Sequence, residues 1–389
     1  MTQQRKIAFG KPWITDAERN AVLGVLAGDV LTHGPQAHEF EKEFAAAVGG
    51  GHALTLSNGT AALHLAYWQL GIGVGDEVIV PAQTHVATVH AVEVVGARPV
   101  FVDCDRATGN MTPEAIEAAI TPRTRAIGLV HFVGMPCDMP AIMKIAAKHG
   151  LKVVEDCALA LGTRWDGIHA GLFGDAGTFS FYPVKHITTG DGGMLITRHG
   201  DLAQKISKAR AFGVDRTFAE RTVPGVYDVL SLGINYRLSD INSAIGREQL
   251  KRLGIILERR ARNFAALKSG LADLEHVAIL DATAANQINS HYCLTAVLDG
   301  ALASQRTEVI RRLNAAGVGT SVYYPHPIPR LAYYREKYDE DLSRFPNAAR
   351  ISDQSIALPV GPHLEIDDMN HIAQVLTTIV RDLMCSKKS

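Results

Sequence analysis

Apolar positions in the first half of the chain follow two alternating rhythms. Stretches with apolar residues three and four apart read as helices, and short β-branched runs read as buried strands. Thr15 followed by the acidic turn Asp16-Ala-Glu18 marks a helix start, with the apolar pattern running to Leu26. Phe40, Phe44 and Ala45 repeat at helical spacing over 39–48, and Leu63, Tyr67 and Leu70 do so over 60–70. Strand-like runs come next at 78–80, 99–102, 126–130 and 151–154, with helical stretches between them at 85–95 and 140–149. Such alternation predicts an α/β fold, a mostly parallel sheet sandwiched by helices. Ligands of such sheets gather at the carboxyl ends of the strands.

After Tyr236 the texture changes. Segments 239–253 and 255–271 read as long helices, 292–298 and 320–324 as strands, and 305–316 and 367–383 as further helices. This pattern predicts a large domain over 1–254 and a smaller C-terminal α+β domain over 255–389.

Composition narrows the function. Of 389 residues, 47% are apolar and 20% charged, enough for a large core under an ordinary solvated surface. A net charge of −1 gives no whole-chain pull toward nucleic acid or anionic membrane. The five cysteines (Cys104, Cys137, Cys157, Cys293 and Cys385) are scattered and lack CxxC spacing. They argue against a disulfide framework and for a reducing compartment. The first residues, Met-Thr-Gln-Gln-Arg-Lys, form no apolar signal segment, and no run approaches the ~18 apolar residues of a membrane span. A cytoplasmic protein is expected.

Candidate chemistry centres on 178–193, Thr-Phe-Ser-Phe-Tyr-Pro-Val-Lys-His-Ile-Thr-Thr-Gly-Asp-Gly-Gly. This reads as a strand, a polar turn presenting Lys185, and a glycine cluster leading to another strand. Burial disfavours an ammonium, so a lysine held there reaches the nucleophilic amine near neutral pH and can form a Schiff base. Ser57-Asn58-Gly59-Thr60 opens a helix whose N–H groups suit a phosphate, although the same residues also make a plain helix cap. Asp156 ends a buried strand, either capping the next helix or holding a heterocyclic nitrogen protonated. Ser180 offers a hydroxyl to the same phosphate. His85 comes after another strand end, as a stacking ring or an ordinary partly buried histidine. Metal chemistry is not expected: His85 and His90 are five apart, off one helical face, and HExxH is absent, as are the GxSxG of hydrolases and a GxGxxG after the first strand.

In this order and spacing, these segments resemble the DegT/StrS-type sugar aminotransferases, pyridoxal-phosphate enzymes of the aspartate aminotransferase fold (fold type I). The resemblance spans nearly the whole chain. It also includes Leu31-Thr-His-Gly-Pro35, Gly96 to Asp103, His131-Phe-Val-Gly134, Arg210-Ala-Phe-Gly213 and Asn235-Tyr-Arg237. It implies that Lys185 holds the cofactor covalently, that Asp156 pairs with its pyridine nitrogen and that His85 takes the place of a stacking aromatic. Gly59, Thr60 and Ser180 would hold the phosphate, and Asn235 would reach the phosphate of a neighbouring subunit, making a homodimer with shared active sites. The implied reaction passes an amino group from an amino acid, glutamate, to a nucleotide-linked keto sugar in amino-sugar biosynthesis. The acceptor would touch His33, Tyr324 and His326. Two departures bear on this. Leu159 stands where the family has Gln or His, and Lys185 is intact where related dehydratases carry histidine. A dehydratase, a cyclitol aminotransferase and a silent cofactor-binding regulator are the alternative readings.

Overall fold

The computed structural model of the chain describes residues 5–32, 34–215, 223, 225–281 and 284–385. Thr15 starts α1 (Asp16–Leu26) by accepting from the Ala17 N–H, while Glu18 reaches back to the Thr15 N–H at 2.7 Å. This reciprocal pair satisfies donors that every helix start leaves open. Burial alone would raise the Glu18 carboxyl, but hydrogen bonds from Thr15 and Gln249 bring it down to about 2. The second helix, α2 (Pro35–Val48), begins before the expected 39–48 segment. Pro35 fits a first helical position, where a missing N–H costs nothing. The cap comes from far away in sequence: Asp240 Oδ1 accepts from Gly34 N at 2.7 Å and from Ala37 N at 3.2 Å.

From there strand and helix alternate: β1 (His52–Leu56), α3 (Gly59–Gln69), β2 (Glu77–Pro81), α4 (Val86–Val94), β3 (Arg98–Val102), α5 (Pro113–Ala118) and β4 (Thr124–Val130). Next come α6 (Met139–His149), β5 (Lys152–Asp156), two short strands β6 (Arg164–Trp165) and β7 (Ile168–His169), β8 (Ala176–Ser180), β9 (Gly193–Thr197) and α7 (Gly200–Ala209). The main sheet has the order β1-β9-β8-β5-β4-β2-β3. β2 pairs parallel with β3 and β4, and β5 pairs parallel with β4 and β8. β9 runs antiparallel to both its neighbours, so β1 points the same way as β8. The carboxyl ends of β1, β2, β4, β5 and β8 therefore share one edge, and the start of β9 joins them there.

Helices α8 (Asp240–Lys251) and α9 (Leu253–Gly270) are separated by Arg252 and lead into a second layer. It comprises β10 (Val277–Ile279), β11 (Gln287–Ile288), β12 (Leu294–Leu298), α10 (Arg306–Ala315), α11 (Ala332–Tyr338), α12 (Pro346–Gln354), β13 (Ser355–Leu358) and α13 (Ile366–Cys385). β10, β12 and β13 form its sheet, whereas β11 pairs back onto β6. Phe264, Leu294, Ile356 and Leu376 pack in its core together with Ile7 from the other end of the chain. Ile7 holds that place through backbone bonds to Gly317 O and from Gly319 N, each 2.8 Å. The strand expected at 320–324 does not form. Only Ser321 bridges to Ala357, and the Tyr323 carbonyl instead accepts from Gln83 Nε2 at 3.1 Å.

One buried carboxylate fixes the sheet edge beside Asp156. Glu155 accepts from the N–H groups of Gly171 (2.7 Å), Phe173 (2.9 Å) and Gly174 (2.7 Å) and from His131 Nε2 (3.0 Å). His131 Nδ1 in turn accepts from Cys137 N at 3.1 Å. His131, Glu155 and Cys157 bring ligand-type atoms within 4.8 Å of one another. The hydrogen bonds already occupy both His131 nitrogens and both Glu155 oxygens, and burial pushes the Cys157 thiol well above its usual range. The trio is thus a hydrogen-bonded staple. Glu155→Ala leaves buried donors without an acceptor and is expected to cost about 3 kcal/mol or more in urea unfolding of the cofactor-free protein.

Candidate active site

Asp156, the last residue of β5, is buried at the shared strand edge. Its Oδ2 accepts from Thr88 Oγ1 at 2.8 Å and its Oδ1 from Ala158 N at 3.0 Å. Thr88 lies in the first turn of α4, and its hydroxyl is 2.8 Å from that of Thr84. A carboxylate can only accept, so Thr88 must donate to it and take its own hydrogen bond from Thr84. The pair fixes the orientation of the carboxylate.

Lys185 sits in the turn after β8, and its N–H donates to Tyr182 O at 2.9 Å. Around it, Phe181 N donates to Gly192 O at 2.8 Å and Thr189 N to Phe181 O at 3.0 Å, which holds the turn against the start of β9. The side chain reaches into the same cavity as Asp156. Burial pushes its ammonium down to about 8, while the Asp156 charge pulls the other way. A neutral amine is therefore accessible near neutral pH, as a carbonyl-attacking lysine requires.

The start of α3 also lines the cavity. Asn58 Oδ1 caps α3 by accepting from Ala61 N at 2.8 Å, leaving Gly59 and Thr60 at the positive end of the helix. A Cβ on Gly59 would lie 3.0 Å from Ser180 Cβ, and one on Gly193 would lie 2.4 Å from the Asn58 carbonyl. These two glycines let the helix start, Ser180 and β9 approach closely. The cavity is about 560 Å³ and is lined by Gly59, Thr60, His85, Asp156, Ser180, Lys185, Tyr236 and Tyr324 among others. A fixed anion, an amine and a helix N-terminus around such a space match the ring nitrogen, aldehyde and phosphate of pyridoxal phosphate.

The remaining expected residues are placed less uniformly. His85 caps α4 through Nδ1, which accepts from Ala87 N at 3.2 Å, and its ring meets Tyr324 edge-on at 5.5 Å. Surrounding atoms push its imidazolium down, favouring the neutral ring. His326 is exposed and does not line the cavity. Asn235 is also exposed and outside this chain's cavity, its Oδ1 accepting from Arg237 Nε at 3.1 Å. His33 lies outside the described residues. Leu159 lines the cavity, and it offers no polar atom on its side chain. Sequence reasoning gave no role to Thr88 or to Tyr236, whose hydroxyl is 3.2 Å from His64 Nδ1. The i, i+4 pair Thr84/Thr88 just past a strand end was a readable signal for the first; the second lies inside the Asn235-Tyr-Arg237 segment, where only Asn235 was given a role.

In the cofactor-free protein, modification of Lys185 by trinitrobenzenesulfonate should rise through about pH 8, the value burial imposes. Ordinary lysines react near pH ~10.4. Asp156 favours the ammonium, so Asp156→Asn should move this midpoint down by about one unit, read by peptide mass spectrometry across pH.

Residues 12–377 match the model of the DegT/DnrJ/EryC1/StrS aminotransferase family. An uncharacterized protein of Methanocaldococcus jannaschii is 36% identical over 377 residues, 96% of this chain and 97% of its own. A Streptococcus pneumoniae protein assigned as a sugar aminotransferase, in its PLP form, superposes with a TM-score of 0.91 at 27% identity, covering 97% of this chain and 100% of that one. Helicobacter pylori PseC, an aminotransferase involved in the biosynthesis of pseudoaminic acid, superposes with a TM-score of 0.92 at 26% identity over 97% and 100% of the two chains. The chain belongs to the DegT/DnrJ/EryC1/StrS family and is a pyridoxal-phosphate-dependent sugar aminotransferase of fold type I.

Proposed function

We propose that this enzyme transfers the amino group of an amino acid, glutamate, to the keto group of a nucleotide-linked sugar, as a step in amino-sugar biosynthesis. One observation carries the reading: a desolvated amine, Lys185, and a fixed carboxylate, Asp156, face one cavity of about 560 Å³. That volume lies in the range of small-molecule sites. The family match supports the sugar, and the amino-sugar role of the Helicobacter protein supports the pathway class.

Pyridoxal phosphate supplies an aldehyde that takes up the amino group and a ring that absorbs electron density from the reacting carbon. The chain's own residues do the rest. Lys185 would hold the aldehyde, and its free amine would serve as the base and acid that takes a proton from the donor's Cα and gives it back. Asp156, oriented by the Thr88 hydroxyl and the Ala158 N–H, would pair with the ring nitrogen. The Gly59 and Thr60 end of α3 and the Ser180 hydroxyl would hold the phosphate, and His85 would take the place of a ring over the cofactor. Tyr324, His33 and His326 are assigned to the acceptor side, the two histidines from their loops.

Asn235 is assigned to the phosphate in a second copy's site. It is exposed beside Phe212, Leu230 and Leu232, which are 47%, 59% and 76% exposed, an apolar surface suited to a partner. Among the described residues no helix is long and apolar enough to cross a membrane. We place the homodimer in the cytoplasm, a reducing compartment that suits the five free thiols.

Purified enzyme should be yellow, bleach with glutamate and regain colour with a keto sugar nucleotide; persistence of colour with every amino donor would refute the assignment. Lys185→Ala should lower turnover by about 10²–10⁴-fold. Asn235→Ala should weaken cofactor binding about tenfold. At a cofactor concentration too low to load the Asn235→Ala protein, mixing it with the Lys185→Ala protein should raise activity above the sum of the two, because one site of the hybrid dimer is intact.

A further inference from the structure

A residue of the second layer packs against the Lys185 amine. Lys185 Nζ lies 5.7 Å from the ring centroid of Tyr292, which sits just before β12. Among the described residues, no hydrogen bond or ion pair of this amine accompanies that contact. The ring is 4% exposed and held on several sides. Its hydroxyl is 2.8 Å from the Tyr323 hydroxyl, with the two rings edge to face at 89°. The Tyr292 carbonyl accepts from Arg260 Nη1 at 2.8 Å, and its N–H donates to Val133 O at 3.4 Å. With the phenol engaged by Tyr323, the part of Tyr292 that meets Lys185 is the π face.

A π face attracts an ammonium and gains little from a neutral amine. Transamination needs Lys185 in both forms, since the amine must take a proton from one carbon and give it back at another. Other groups around it act unevenly. Burial disfavours the charged form, and Asp156 favours it. His85 feels the Lys185 charge and is itself pushed toward neutral, as is the buried His186, which sits next along the chain with its ring 5.7 Å from that of Tyr292. Burial likewise keeps the Tyr324 phenol neutral. Arg260, with its guanidinium carbon 5.8 Å from the same ring, is a second cation sharing Tyr292.

We propose that Tyr292 is a positioning residue whose ring face holds the protonated side chain of Lys185 whenever that amine is released from its covalent partner. The proton taken from the donor then stays beside the reacting carbons and is not lost to water. The ring comes from the second layer, so the small sheet has a direct part in the chemistry of the large one. This inference rests on Lys185 as the reacting amine, but its test does not use turnover.

The test measures the pH midpoint of Lys185 modification by trinitrobenzenesulfonate in cofactor-free protein. Tyr292→Leu should lower that midpoint by about half a unit to one unit, because the ammonium loses its π partner. Tyr292→Phe keeps the ring and should stay within about 0.2 unit of wild type, as should Tyr323→Phe, which removes the hydroxyl pair alone. Tyr292→Met, an unbranched apolar filler without a π face, should repeat the Leu result and serves if Leu prevents folding. An unchanged midpoint in the ringless variants would overturn the proposal. An equal fall in Tyr292→Phe would also overturn it, by tracing the effect to the hydroxyl. Either failure would leave amino transfer through Lys185 untouched, since glutamate bleaching tests that separately.

Discussion

The structure turns on holding an amine and a carboxylate in one desolvated space without letting them collapse into an ion pair. Paired directly, Asp156 would hold Lys185 as a permanent ammonium. Here Asp156 is occupied by the Thr88 hydroxyl and the Ala158 N–H, and Lys185 Nζ meets the face of an aromatic ring. Burial then wins over the more distant charge, and the lysine settles at about 8, within reach of neutral amine chemistry.

Much of the molecule serves to keep that separation. Glu155, the residue before Asp156, ties β5 to the turn around Gly171 and Gly174 and to His131 at the end of β4. On the other side of the site, the missing side chains of Gly59 and Gly193 let α3, β8 and β9 close on one another, which brings the start of α3 beside Ser180. The antiparallel β9 matters here too, because it starts where its neighbours end and so delivers the glycine cluster after Lys185 to the same edge.

What the sequence revealed depended on how local each signal was. Lys185, Asp156 and the Ser57 to Thr60 turn lie at strand ends or a helix start, where spacing and turn chemistry make them visible without a partner. The parallel alternation of strands was legible for the same reason. The early start of α2 was not, because its cap is Asp240, far along the chain. Likewise Ile7 joins the second layer through residues 317–319, which no local pattern announces. The apparent strand at 320–324 had β-branched and aromatic residues of the right kind, yet the Tyr323 carbonyl was taken by Gln83. Tyr292 reached Lys185 by tertiary packing alone.

The covalent role of Lys185 is tested most directly by borohydride reduction of the cofactor-loaded enzyme and peptide mapping of the product. The label should fall on Lys185 alone. It should be blocked when glutamate has first converted the cofactor to its amino form. A label on another lysine, or full labelling of a folded Lys185→Ala protein, would contradict that role.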